Sequence, residues 1–141
     1  MIEVKNLSKQ FKAPSDEKGL FGPKKKPFWA VKDLNFDIKK GSVASILGPN
    51  GCGKTTTLRM IAGMLTPSRG TAFVDSVDVR KDKQTVKSKI GYMTNNTSLY
   101  DRLSVIETIK FFAELNQISA DIYMPRAEKL FDQLDLSLIH I

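Results

Sequence analysis

The stretch Ser42-Val-Ala-Ser-Ile-Leu-Gly-Pro-Asn-Gly-Cys-Gly-Lys-Thr-Thr-Thr-Leu58 carries the strongest signal in this chain of 141 residues. Within it, Gly48 to Thr55 matches the pattern G-x-x-x-x-G-K-[ST] of a phosphate-binding loop. The apolar run Val43 to Leu47 predicts a short buried strand before the loop, and Thr56 to Leu65 predicts an amphipathic helix after it. Strand, glycine-rich turn and helix in this order are typical of a nucleotide site.

The residue types in the loop explain how it would hold phosphate. Gly48, Gly51 and Gly53 let the backbone curl so that successive N–H groups point inward, and a helix that begins near Lys54 adds its N-terminal dipole. Lys54 would reach the β- and γ-phosphates of a nucleotide, and the Thr55 hydroxyl would coordinate Mg²⁺. The expected nucleotide-binding residues of the loop are Gly48, Pro49, Asn50, Gly51, Cys52, Gly53, Lys54, Thr55 and Thr56.

Composition narrows the class of protein. The apolar fraction of 41% and the charged fraction of 26% are those of a globular domain. No apolar run reaches the roughly 18 residues that a membrane span requires. The net charge of +7 could serve an anionic partner, but Lys24, Lys25 and Lys26 stand together in a loop without interleaved aromatic residues, which favours a solvated surface over nucleic acid. Cys52 is the only cysteine, which fits a cytoplasmic location.

The rest of the chain follows an α/β pattern. Strands are predicted at Ile2 to Leu7, at Leu34 to Ile38, at Thr71 to Val74 and at Ile90 to Met93, and a long polar loop over Ala13 to Phe28. A helix with an apolar stripe is predicted over Asp101 to Asn116, and a second helix from near Pro125, a residue suited to a first helical turn.

The ordered motifs resemble those of one family. Five stretches of the chain, taken in order, are similar to the N-terminal part of an ABC transporter nucleotide-binding subunit. They are Ile2-Glu-Val-Lys-Asn-Leu-Ser-Lys, the phosphate loop, Ile61-Ala-Gly-Met-Leu-Thr-Pro, Ile90-Gly-Tyr-Met and Leu99-Tyr-Asp-Arg-Leu-Ser-Val-Ile-Glu-Thr. Within the family, the Gly-Thr-Ala run that begins at Gly70 and the Leu-Tyr-Asp-Arg-Leu run that begins at Leu99 look most like those of exporters of the sodium-extrusion and drug-efflux kind. The resemblance implies an incomplete P-loop NTPase fold, in which residues 1–100 form a RecA-like core with an antiparallel β subdomain and residues 101–141 begin a helical subdomain.

The resemblance also implies roles outside the loop. An aromatic residue shortly after the first strand stacks on adenine in this family, and Phe11 occupies that place, with Phe28 and Trp29 as rivals. The family has a glutamine after the Gly-Tyr-Met strand that contacts the metal. Asn95 stands there, one methylene shorter, and is either a metal contact or a plain loop residue.

The family's hydrolytic elements are not found after Asn95: the LSGGQ-type signature, the Asp-Glu strand and the switch histidine. His140, the only histidine, lacks the context of that switch, so no catalytic residue is predicted and the chain is expected to be a fragment of a longer ATPase. The resemblance implies that the intact protein forms a homodimer or heterodimer of nucleotide-binding domains, bound to a membrane-spanning subunit at the inner face of the cell membrane. Two alternatives stay open: a soluble ABC ATPase acting on ribosomes or DNA, and a truncated nucleotide-binding module without turnover.

Overall fold

The computed structural model describes residues 1–12, 26–94 and 102–135. Its contacts divide the chain into two compact units, residues 1–92 and 93–141. In the first unit the strands and helices are β1 (Ile2–Phe11), β2 (Phe28–Ile38), α1 (Lys54–Ile61), β3 (Arg69–Val74), β4 (Val77–Asp78) and α2 (Lys83–Ser88). The second unit contains α3 (Val105–Leu115) and α4 (Ala120–Gln133). The calls on Asn95, His140 and most of the loop over Ala13 to Phe28 lie outside the described residues.

The first unit is built on one antiparallel sheet with strand order β2-β1-β3-β4. Val4 lies opposite Phe36 on one side and Ala72 on the other, which makes β1 a central strand. In β2, the predicted residues Leu34 to Ile38 alternate between half-buried and exposed positions, as their pattern indicates. This confirms an antiparallel half-buried strand at that place.

Helix α1 packs its buried residues into the same core as the sheet. Met60 is fully buried, as are Leu7 of β1, Ala72 of β3 and Val86 of α2, and they belong to one apolar cluster. The helix begins at Lys54 as predicted but ends at Ile61, four residues earlier than the sequence suggested. The reason is Gly63, whose φ of 68° ends the helix while Gly63 N–H donates to the Met60 carbonyl. The core thus holds the helix that follows the phosphate loop.

Two predicted strands are not formed. Val43 to Leu47 is irregular, with Val43 98% and Leu47 90% exposed, and Ile90 to Met93 is also irregular, with Met93 88% exposed. A buried strand of a parallel sheet needs hydrogen-bonded neighbours. None of the strands in the described part of the chain lies beside either segment. Both strand predictions were therefore wrong for this structure, because an apolar run forms a strand only when neighbouring strands pair with it.

The second unit is a pair of packed helices. Helix α3 falls inside the predicted range, but Thr108 and Ala113 are its buried residues, whereas Phe112 and Leu115 of the predicted stripe are largely exposed. Helix α4 begins at Ala120, after Ser119 in extended conformation, so the predicted start near Pro125 was wrong. Pro125 is the sixth residue of α4, where it lacks the N–H that would donate to the Asp121 carbonyl. No helix among the described residues is long and apolar enough to cross a membrane.

Helix α3 begins with a reciprocal cap. The Glu107 N–H donates to Ser104 Oγ at 3.3 Å, and the Ser104 N–H donates to Glu107 Oε2 at 2.8 Å. These bonds from Ser104, its backbone N–H first, hold the pKa of Glu107 below its ordinary value of 4.5. The cap satisfies two donors that an α-helix leaves without a partner.

We expect Ser104→Ala to lower the free energy of unfolding of the helical pair by about 0.5–2 kcal/mol, the usual cost of losing an N-cap side chain. The matched control is Ser119→Ala at α4, because the Ser119 side chain makes no cap hydrogen bond. Urea unfolding followed by circular dichroism compares the two variants. Equal losses at both positions would contradict the assignment of the cap.

Candidate phosphate-binding site

The glycine-rich loop turns sharply into helix α1. Gly51 has a φ of 84° and Gly53 a φ of 96°, both in the left-handed region that favours glycine. Gly53 is the N-cap residue, and Thr57 N–H donates to its carbonyl at 2.8 Å. The loop residues from Gly48 to Cys52 are exposed to solvent. The backbone therefore presents an open, curled loop directly before the first turn of the helix.

The Lys54 side chain folds back over this loop. Its Nζ donates to the Gly48 carbonyl at 2.7 Å and to the Pro49 carbonyl at 2.8 Å, and lies 4.0 Å from Cys52 Sγ. An ammonium group has three donors, and the third is directed to Cys52 Sγ, a weak acceptor that a phosphate oxygen would displace. The charge thus lies at the mouth of the loop, where phosphate oxygens would accept from it.

The first turn of α1 offers further donors. The N–H groups of Lys54, Thr55 and Thr56 have no acceptor within the helix, because an α-helix leaves its first N–H groups unpaired. The first turn of the helix contains no acidic residue, so no carboxylate of this turn neutralises the positive end of the helix dipole. Thr55 is exposed, whereas Thr57 is buried. Backbone donors, the Lys54 ammonium and the Thr55 hydroxyl thus converge at one end of the helix, which is the arrangement that binds anions.

Strand β2 fixes where the loop sits. A Cβ atom on Gly53 would overlap the Ala30 carbonyl oxygen and lie 2.9 Å from Val31 Cγ2. Val31 belongs to the core cluster. The close approach of Gly53 to the strand backbone therefore joins the loop to the sheet. Sequence reasoning missed this contact, since no pattern in the chain links positions 30 and 53.

The aromatic residues considered for adenine stacking lie at the end of the β1–β2 ladder. Phe11 is the cross-strand partner of Phe28, with ring centroids 5.8 Å apart. Trp29 pairs with Gln10, and the Arg69 guanidinium lies 5.1 Å from the Trp29 ring centroid. Phe28 is only two residues from Ala30, the strand residue that Gly53 approaches. The ladder thus places Phe11 and Phe28 side by side on the strand pair that also contacts the loop.

A resident metal cluster is not present in the described part of the chain. No group of three or more His, Cys, Asp or Glu side chains is gathered there. Thr55, predicted as a metal ligand, lies exposed at the start of α1. Asn95, the second predicted ligand, lies outside the described residues.

Comparison with known proteins gives one consistent family. The family model described as ABC transporter matches residues 31–140. The ABC transporter ATP-binding protein NatA of Bacillus subtilis is 43% identical over 111 residues, which are 78% of this chain and 45% of NatA. The probable multidrug ABC transporter ATP-binding protein YbhF of Escherichia coli is 34% identical over 113 residues, covering 80% of this chain and 17% of YbhF. The chain thus spans less than half the length of these relatives.

Solved structures agree on the fold. A dimeric ATP-binding cassette in a post-hydrolysis state with ADP and phosphate superimposes with a TM-score of 0.75 at 23% identity, covering 98% of this chain and 59% of that one. An ATP-binding subunit of an ABC transporter superimposes with a TM-score of 0.72 at 24% identity, over 96% and 51% of the two chains. This confirms the predicted α/β P-loop fold. With the family model covering most of its length, the chain belongs to the ABC transporter family.

Proposed function

We propose that this chain is the ATP-binding part of an export-type ABC transporter and binds ATP with Mg²⁺ at the loop Gly48 to Thr55. One observation carries the proposal: the Lys54 ammonium lies over the Gly48 and Pro49 carbonyls, at the N-terminus of a helix with free backbone donors. The positive charge and the unpaired N–H groups belong to the same loop and the same first turn of α1. That combination suits a chain of phosphates better than any neutral ligand.

Each part of the site has a separate task in binding. The curled backbone around Gly51 and Gly53 holds phosphate oxygens by N–H donation, and Lys54 neutralises charge on the terminal phosphates. The exposed Thr55 hydroxyl fits Mg²⁺, since this ion is usually held by one or two protein oxygens together with substrate phosphates. When bound, the ion neutralises phosphate charge and fixes the geometry of the phosphate chain.

The proposals that the transporter is an exporter and that the chain has protein partners are supported by the names of similar proteins. One similar protein is named as a probable multidrug ABC transporter ATP-binding protein, and one similar structure is a dimeric cassette. We therefore propose that the longer protein dimerises through its nucleotide-binding domains and acts on a membrane-spanning subunit at the cytoplasmic face of the membrane. We assign ATP turnover to that assembly, because the chain spans less than half the length of these relatives and contains no signature or Asp-Glu element of the family.

Isothermal titration with Mg²⁺–ATP tests the binding proposal. We expect saturable binding at one site per chain, competed by inorganic tripolyphosphate and not by adenosine, because the phosphates supply the main contacts. Competition by adenosine alone, without any by tripolyphosphate, would contradict a phosphate-directed site.

For the base, we propose that Phe11 stacks on adenine. Loss of one aromatic–base stack costs about 1–3 kcal/mol, so Phe11→Ala should weaken ATP binding by about 5- to 150-fold. The same variant should leave tripolyphosphate binding unchanged, because that ligand has no base. Phe28→Ala and Trp29→Ala are the matched controls. A loss of ATP affinity confined to either of them would transfer the stacking role to that residue and contradict Phe11.

A further inference from the structure

A second electropositive concavity lies in the first unit, away from the residues of the phosphate loop. Its volume is about 590 Å³, within the usual range of sites for small ligands. We refer to it as the basic groove, and it is lined by Lys5, Asn6, Gly70, Thr71, Asp78, Arg80 and Lys81. These residues come from β1, β3, β4 and the turn after β4. Nothing in the proposed function uses them.

The only carboxylate of the groove is already engaged within the protein. Asp78 Oδ1 accepts from Thr71 Oγ1 at 2.6 Å and from the Arg80 N–H at 2.8 Å. Partial burial alone would raise the pKa of Asp78, but these hydrogen bonds and the charges of Lys81 and Arg80 hold it below its ordinary value. Asp78 thus stays ionised and braces the wall of the groove. Asp78 is the one carboxylate among the lining residues, beside three cations of which one, Lys5, is paired with Glu3.

The cations differ in how far they are engaged. Lys5 pairs with Glu3 at 2.8 Å and lies over the Phe73 ring. Within the described part of the chain the Arg80 guanidinium donates one hydrogen bond, from Nη1 to the Gly70 carbonyl at 3.2 Å, and most of its five donors remain for a ligand. The Lys81 side chain makes no hydrogen bond or ion pair with the described part of the chain. A fixed guanidinium next to an unpaired ammonium therefore faces the groove.

We propose that the basic groove binds a phosphate-bearing anion, independently of the phosphate loop. A planar guanidinium recognises two oxygens of one phosphate, and a neighbouring ammonium adds a point charge, so the pair suits a polyanion with more than one oxygen acceptor. The surrounding segment strengthens this field, because Arg80 to Lys89 contains five cations and one carboxylate. The phosphate could belong to a soluble compound or to a lipid headgroup, and these two sources share the same recognition.

The test uses the 141-residue chain carrying Lys54→Ala, so that the phosphate loop contributes little, and inorganic pyrophosphate as the probe at low salt. Arg80→Gln with Lys81→Gln should weaken pyrophosphate binding by about 10-fold or more, as expected for losing two exposed charge contacts. The matched control, Lys87→Gln with Lys89→Gln, removes the same charge from the same exposed segment but not from the groove lining, and should weaken binding clearly less than the groove pair does. Lys81→Gln alone breaks no hydrogen bond and should weaken binding by about 2- to 5-fold with an unchanged melting temperature.

Two results would overturn the proposal. The first is an equal loss of pyrophosphate affinity in the groove pair (Arg80→Gln with Lys81→Gln) and in the control pair (Lys87→Gln with Lys89→Gln). The second is that the chain shows neither saturable binding of pyrophosphate nor binding to lipid vesicles that depends on the groove residues. The vesicle arm measures co-sedimentation with phosphatidylcholine vesicles with and without phosphatidylglycerol. If the chain sediments with the anionic vesicles, and this binding is lost in the groove pair but kept in the control pair, the ligand of the groove is a lipid headgroup. Groove-dependent pyrophosphate binding without such retention assigns a soluble phosphate compound.

Discussion

Lys54→Ala is expected to weaken Mg²⁺–ATP binding by about 10- to 150-fold, because a charge-assisted hydrogen bond contributes about 1.5–3 kcal/mol. The Lys54 ammonium lies at the loop mouth, bonded to the Gly48 and Pro49 carbonyls. Alanine removes both the charge and the donor that would reach the phosphates. Backbone N–H groups remain, so weak residual binding is expected rather than none. Isothermal titration measures the change.

Lys87→Ala is the control for this variant, since Lys87 is an exposed lysine of α2 that lines neither the loop nor the basic groove. It removes the same charge from the chain and should leave the dissociation constant within about 2-fold of the unmodified protein. An unchanged affinity in Lys54→Ala, with the fold intact by circular dichroism, would remove Lys54 from the site. Equal losses of ATP affinity in the two variants would show that Lys54 acts only through its long-range charge and makes no direct contact with the phosphates.

Gly53→Ala is expected to cost about 1–3 kcal/mol in stability and at least about 10-fold in Mg²⁺–ATP affinity. Two effects combine at this position. The φ of 96° is unfavourable for a residue with a Cβ, and that Cβ would overlap the Ala30 carbonyl oxygen of β2. Either the loop or the strand must move, and the first turn of α1 moves with the loop. Thermal unfolding and titration with Mg²⁺–ATP measure the two losses separately.

Gly51→Ala separates those two effects. Gly51 also has a positive φ, 84°, but a Cβ there would meet nothing within 4 Å. Its substitution therefore carries the backbone cost without the contact with β2, and its loss of stability should be smaller than that of Gly53→Ala. If both variants lost the same stability, the contact between Gly53 and β2 would not hold the loop in place.

Local chemistry made the loop predictable from the sequence. Glycine at positions 51 and 53 permits positive φ, and the helix begins at Lys54 as the motif indicates. The end of α1 could have been read from Gly63, whose place after the helix is a common stop signal. Features decided by neighbouring residues in the chain were thus accessible.

Features that depend on contacts between residues far apart in the chain could not be predicted from the sequence. The apolar run Val43 to Leu47 has a strand-like pattern, but a strand also requires pairing partners, and the described strands do not supply them. Strand β4 has two residues and α2 has six, both too short for a periodic pattern to emerge. The approach of Gly53 to Ala30 and the pairing of Phe11 with Phe28 depend on how β1 and β2 align. Only the folded sheet determines that register.

The most direct test of nucleotide binding at this loop is amide NMR of the chain during titration with Mg²⁺–ATP. If the backbone donors hold the phosphates, the largest shift changes will be at Gly51, Gly53, Lys54, Thr55 and Thr56, and they will be strongly reduced in Lys54→Ala. Shift changes confined to residues outside the loop, with these five amides unmoved at saturating nucleotide, would contradict the account.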